Sequence, residues 1–115
     1  MRFGVAGYPV AHSRSPQLHE AAYAKFNIDA EYQRLPIPPE LFAETVRALP
    51  ASGFVGINVT IPHKEAAAAL ADEVSAAVEA VGAANTLTFE DGRIVADNTD
   101  APGMLQAIGR PIEGV

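Results

Sequence analysis

The sequence predicts an α/β fold: a three-layer α-β-α domain with a mostly parallel sheet and one edge hairpin. Three observations predict it. Apolar segments of strand length alternate with segments of helical periodicity, the arrangement that buries a parallel sheet between helices. The segment 54–60 (FVGINVT) is apolar almost throughout, as a strand covered on both faces must be. Asp91-Gly92 separates two short alternating segments, which is the signal of a tight hairpin.

Each element has its own reason. Residues 2–7 (RFGVAG) read as a short buried strand, and 8–14 (YPVAHSR) as a loop. Ser15-Pro16 starts a helix, because serine caps and proline suits the first helical position. Leu18, Ala21, Ala22, Tyr23 and Phe26 then recur at helical spacing, and Asn27 ends the helix. Residues 31–35 (EYQRL) alternate as a half-buried strand. Pro36, Pro38 and Pro39 break it and open a helix over 40–49, with Leu41, Phe42, Thr45, Val46 and Leu49 on its inner stripe. Ser52-Gly53 turns the chain into the strand at 54–60. Pro62 starts an alanine-rich helix to Leu70, and 72–81 (DEVSAAVEAV) continue as a second helical piece ended by Gly82. Residues 85–90 and 93–97 form the hairpin. A last helix is expected over 101–108, with Thr99 or Asp100 as its cap.

Composition narrows the function classes. A chain of 115 residues, 49% hydrophobic and 19% charged, supplies one packed core. Eight Lys and Arg against fourteen Asp and Glu give a net charge of −6, which argues against nucleic acid or an anionic membrane as partner. The absence of cysteine excludes disulfides, thiolate metal sites and cysteine nucleophiles. No apolar run approaches the roughly 20 residues that span a bilayer. The amino terminus enters the globular pattern at once, so a soluble cytoplasmic protein is expected.

Parallel sheets bind ligands outside the carboxyl ends of their strands. Four polar clusters fall there. In the first, His12-Ser13-Arg14-Ser15-Pro16, two hydroxyls lie against a helix start, where free N–H groups favour an anion such as a carboxylate. Ser15 also reads simply as a cap, and His12 and His19 as solvated or core-edge histidines. In the second, 56–64, Asn58 and Thr60 share one side of a strand end, and Lys64 falls in a helix first turn, where a cation opposes the dipole. That placement suits a proton-transfer group, although a solvated surface lysine is the plain alternative, with Gly56 and Pro62 as turn residues. In the third, 82–86, Asn85 offers both donor and acceptor, or serves as a turn former. In the fourth, 97–103, Asp97, Asn98, Thr99 and Asp100 read as ligand groups or as caps. The four together suit a small polyhydroxylated acid. There is no GxGxxG, no Walker loop, and no metal-ligand spacing among His12, His19 and His63.

At these clusters the chain resembles the shikimate dehydrogenases, specifically their amino-terminal substrate-binding domain. The resemblance rests on GYPVAHSRSPQLH (7–19), GINVTIPHK (56–64), VGAANT (81–86) and NTD-x-x-G (98–103), in that order, and covers nearly the whole chain. It implies NADP-linked interconversion of 3-dehydroshikimate and shikimate, on the route to chorismate and the aromatic amino acids. It implies that Ser13 and Ser15 bind the substrate carboxylate, that Asn58, Thr60, Asn85 and Asp100 bind ring hydroxyls, and that Lys64 is the catalytic lysine paired with Asp100. Two small departures, Ala96 for the usual glycine and Ala84 for the usual valine, bear on packing rather than chemistry.

In the family a Rossmann domain with a glycine-rich NADP loop follows. The resemblance therefore implies that residues 1–108 are the substrate-binding domain and 109–115 begin a linker to an NADP-binding domain missing from this chain. On that expectation no cofactor or metal binds here, and the chain alone binds shikimate weakly and lacks turnover. The family's closing segment, which packs back on the substrate domain, would be absent too, so exposed apolar surface would favour self-association as a homodimer. A second class of reading is a non-catalytic carboxylate-binding or assembly module. A rival within the enzyme class is a quinate or aminoshikimate dehydrogenase domain.

Overall fold

The computed structural model describes residues 1–10, 15–26 and 29–99. The chain runs through β1 (Arg2–Gly7), α1 (Ser15–Lys25), β2 (Glu31–Pro36), α2 (Phe42–Ala48), β3 (Phe54–Val59), α3 (Lys64–Leu70), β4 (Glu73–Val74), α4 (Ala76–Val81), β5 (Thr86–Glu90) and β6 (Arg93–Asp97). Short 3₁₀ turns flank α2, at Pro39–Leu41 and Leu49–Ser52.

One six-stranded sheet has the order β2-β1-β3-β5-β6-β4. The β1–β2, β1–β3 and β4–β6 pairings are parallel, and the β3–β5 and β5–β6 pairings antiparallel. The hairpin β5–β6 turns at Asp91-Gly92, both with positive φ (48° and 76°). That backbone matches the right-handed twist of the strands it joins, and glycine adopts it without a Cβ penalty.

Successive residues of β1 face opposite layers. Ala6 joins the main core, with Phe42 and Val46 from α2, Ala67 from α3, Val78 from α4, and Leu87, Ile94 and Ala96 from the hairpin. Val5 joins a smaller cluster with Val10 and Tyr32, packed by Phe3 and by Tyr23 of α1. Helices thus cover both sheet faces, giving the three expected layers. Ala84 and Ala96, the two departures, are both fully buried in the main core, so each methyl has a place there.

Three expectations need correction. The hairpin is not the edge of the sheet, because β4 lies outside β6. Residues 72–81 are accordingly not one helix. The outer edge of β6 offers unpaired backbone groups, and 72–75 take them: Asp72 N–H donates to Ile94 O, Ser75 N–H to Ala96 O, and Asp72 Oδ2 accepts from Ile94 N–H at 2.7 Å. Ladder hydrogen bonds outweigh helix propensity there. Helix α4 then starts after Ser75, whose Oγ accepts from Val78 N–H. Finally, α3 begins at Lys64 rather than Pro62, because a turn closed by His63 N–H to Thr60 O separates β3 from it. The expected helix at 101–108, the linker at 109–115 and the helix end at Asn27 lie outside the described residues. Among the described residues no helix is long and apolar enough to cross a membrane.

Candidate functional site

The carboxyl ends of β1, β3 and β6 meet the amino ends of α3 and β5, and backbone hydrogen bonds lace them together. Thr60 N–H donates to Ala6 O at 2.9 Å, joining β3 to β1. Val59 N–H donates to Asn85 O at 2.8 Å, and Asn85 N–H to Asp97 O at 3.0 Å, so the residue before β5 bridges β3 and β6. Ala84 N–H donates to Lys64 O at 2.9 Å, which clips the first residue of α3 to the same segment. Asn58, Thr60, Lys64 and Asn85 are therefore held at one end of the sheet, all half-buried. They come from two separate stretches of the sequence, 58–64 and 85.

The amides in this cluster are oriented by their neighbours. Asn85 Oδ1 accepts from Thr99 N–H at 3.1 Å and from the Thr86 hydroxyl at 2.9 Å, while its Nδ2 donates to Thr99 Oγ1 at 2.9 Å. Asn58 Oδ1 accepts the Tyr32 hydroxyl at 2.6 Å. Asn98 is buried, and its Nδ2 donates to Ala83 O at 2.9 Å, fixing the exit of β6 against the link from α4 to β5. A groove of about 240 Å³ runs along the sheet face beside α1, lined in part by Phe3, His19, Tyr23, Tyr32, Asn58 and Thr86.

Behind Lys64 stands His63, 1% exposed. Its ring stacks on Phe42 at 4.4 Å, and its Nε2 lies 2.7 Å from Ile37 O. Burial lowers its pKa below the ordinary value of 6.5, and the carbonyl contact offsets only part of this. A carbonyl can only accept, so Nε2 carries the hydrogen and the ring is a neutral donor.

Of the residues expected to form the site, Asn58, Thr60, Lys64 and Asn85 are brought together. Ser13 and Asp100, with His12 and Arg14, lie outside the described residues. Ser15 is the first residue of α1, and its side chain is also outside what is described. Sequence reasoning missed Tyr32, His63 and the capping of Asn85 by Thr99. Tyr32 occupies an inward position of an alternating strand, where any core tyrosine would look the same. His19, read as a solvated or core-edge histidine, is half-buried and stacks on Tyr32 at 4.1 Å.

Amides, hydroxyls and an amine gathered at strand ends over an α/β sheet define a domain of the ligand-binding class. Residues 5–87 match the family described as the shikimate dehydrogenase substrate binding domain. The chain belongs to that family. It is 55% identical over 106 residues to the shikimate dehydrogenase (NADP(+)) of Paracoccus denitrificans, covering 91% of this chain and 38% of the relative. It is 57% identical over 100 residues to that of Methylobacterium radiotolerans, covering 86% and 36%. Among solved structures, the shikimate 5-dehydrogenase of Thermus thermophilus, in complex with NADP(H) and shikimate, superposes with a TM-score of 0.85 at 40% identity, covering 94% of this chain and 41% of that one. The chain thus spans about two fifths of the length of these relatives.

Proposed function

We propose that this chain holds the substrate of an NADP-dependent shikimate dehydrogenase, which interconverts 3-dehydroshikimate and shikimate. The observation that carries the reading is the clip between Lys64 O and Ala84 N–H, next to the bond from Val59 N–H to Asn85 O. It sets an amine-bearing helix start beside two amides and a threonine, a set complementary to a ring with several hydroxyls. Ser13 and Ser15 complete the proposal as the carboxylate cradle, and Asp100 as the partner of Lys64 at the reacting oxygen.

Oxidising a secondary alcohol removes a hydroxyl proton as hydride leaves the carbon. In the reverse direction a proton must reach the forming alkoxide. Lys64 as ammonium donates that proton or stabilises the oxygen, and as amine it takes the proton back. A close Lys64–Asp100 pair exchanges the proton as one unit. NADP, when bound, supplies hydride transfer. The described residues do not fit that group: the positive-φ glycines Gly53, Gly82 and Gly92 sit in separate turns, and none opens a helix after a parallel strand. The proposed domain division, 1–108 for substrate and 109–115 as linker, places NADP outside this chain.

Calorimetric titration of the chain with shikimate, quinate and NADP(H) tests the reading. Heat with shikimate, weaker heat with quinate and none with NADP(H) is expected. Heat with NADP(H) alone overturns it.

A further inference from the structure

We propose that Tyr32, backed by His19, is a positioning and specificity-determining residue: it locks the Asn58 amide so that the site presents N–H donors, and not a carbonyl, to the ligand. The proposal rests on the reading above that Asn58 touches the substrate, and extends it to a residue pair with no role in that reading.

The geometry is specific. Tyr32 lies in β2 and Asn58 in β3, on opposite sides of β1 in the sheet. The Tyr32 hydroxyl reaches across β1 to Asn58 Oδ1 at 2.6 Å. That separation belongs to an O–H···O bond; N–H···O bonds centre near 2.9–3.0 Å. In this contact the amide oxygen faces Tyr32 and accepts from its hydroxyl, which turns the nitrogen away from it. The phenol is held from behind. Tyr32 is 4% exposed, and the His19 ring stacks on it with planes 13° apart. Tyr23 tilts against His19 in turn, at 6.2 Å. The Tyr32 backbone N–H also bonds to Glu20 Oε2 at 3.4 Å, so α1 fixes both the ring and the strand that carries it.

An amide free to flip offers a donor or an acceptor and so tolerates either kind of partner. With Oδ1 engaged by Tyr32, Asn58 offers its two Nδ2 hydrogens. The ligand group it accepts is an oxygen with a lone pair to give, such as a ring hydroxyl oriented to donate elsewhere. A ligand carrying only a donor there, such as an ammonium, is rejected because the donors would face each other.

The test uses the chain with Tyr32→Phe, which removes one oxygen and keeps the buried ring and its stack. Side-chain amide NMR without ligand gives the first readout. The Asn58 Nδ2 resonances are expected to shift in Tyr32→Phe while those of Asn85 and Asn98 stay in place; unchanged Asn58 resonances overturn the proposal. Shikimate affinity gives the second. Tyr32→Phe is expected to weaken binding about tenfold in the otherwise unchanged chain, and less than twofold in an Asn58→Ala background. Equal losses in both backgrounds, or no loss in either, overturn the proposal. Failure of the unchanged chain to bind shikimate sinks the proposed substrate, and the NMR result then decides the orientation of Asn58 by itself.

Discussion

His63 Nε2 lies 2.7 Å from the Ile37 carbonyl oxygen, tying the residue before α3 to the segment that follows β2. Ile37 N–H in turn donates to Gly7 O at the end of β1. Lys64, the next residue, thus starts its helix from a fixed base. A merely stacked aromatic ring at 63 would lack this tether.

His63 makes stability depend on pH. Its pKa is lowered in the folded chain, so the unfolded chain binds the proton first as the solution is acidified. Its neutral form leaves stability fully present above about pH 6.5. Stability is lost as pH falls below that value toward the folded pKa. One such group contributes a slope of at most about 1.4 kcal/mol per pH unit. Urea unfolding between pH 7.5 and 5 is expected, on the order of one proton's worth, to show a steeper loss in the unchanged chain than in His63→Phe. Parallel slopes would remove His63 as the cause.

Lys64→Ala is expected to reduce turnover by about 10²–10⁴-fold in a catalytically competent protein containing this chain, the range for losing a general acid–base. The substrate KM should change only a few-fold. Steady-state kinetics separate the two parameters, and near-normal kcat would refute the role of Lys64.

The two asparagines after α4 should respond in opposite ways. Asn98 is buried, and Asn98→Ala leaves Ala83 O without this donor, at a cost of about 1–3 kcal/mol in unfolding free energy. The bonds of Asn85 to Thr99 are exposed, so Asn85→Ala should cost about 1 kcal/mol or less while weakening shikimate binding more than Asn98→Ala does. Paired denaturation and calorimetry check the contrast; a larger stability loss for Asn85→Ala contradicts it.

Gly56 is required by a close approach between strands. A Cβ there would lie 2.9 Å from Leu87 O, a backbone atom that cannot swing aside. Gly56→Ala should push β5 away from β3 and destabilise the chain by about 1–3 kcal/mol. Because Thr86 opens β5 and Asn85 directly precedes it, ligand affinity should fall as well. Unaltered unfolding in urea would show that β5 yields without cost.

Much of the fold and part of the site is legible in the residues. The alternation of strand and helix, the Asp91-Gly92 turn and the helix start at Ser15-Pro16 all follow from local rules of period and backbone conformation. Asn58, Thr60, Lys64 and Asn85 stand out because their types and their place at the ends of strands and the start of a helix suit a polar ligand. What misleads is equally local: 73–74 look helical in a window of ten residues, and nothing in that window reports the open edge of β6.

Residue order alone carries the periodicities, the turn, the composition of the site and the family to which its motifs point. Three features arise only once the chain is packed: β4 closes the sheet, Tyr32 reaches Asn58 across β1, and His63 bonds to Ile37. The difference is one of range. Backbone conformation and hydrophobic period act over a few neighbours, whereas these bonds join residues 22 to 26 positions apart. They are specified by packing of the whole sheet between its helices.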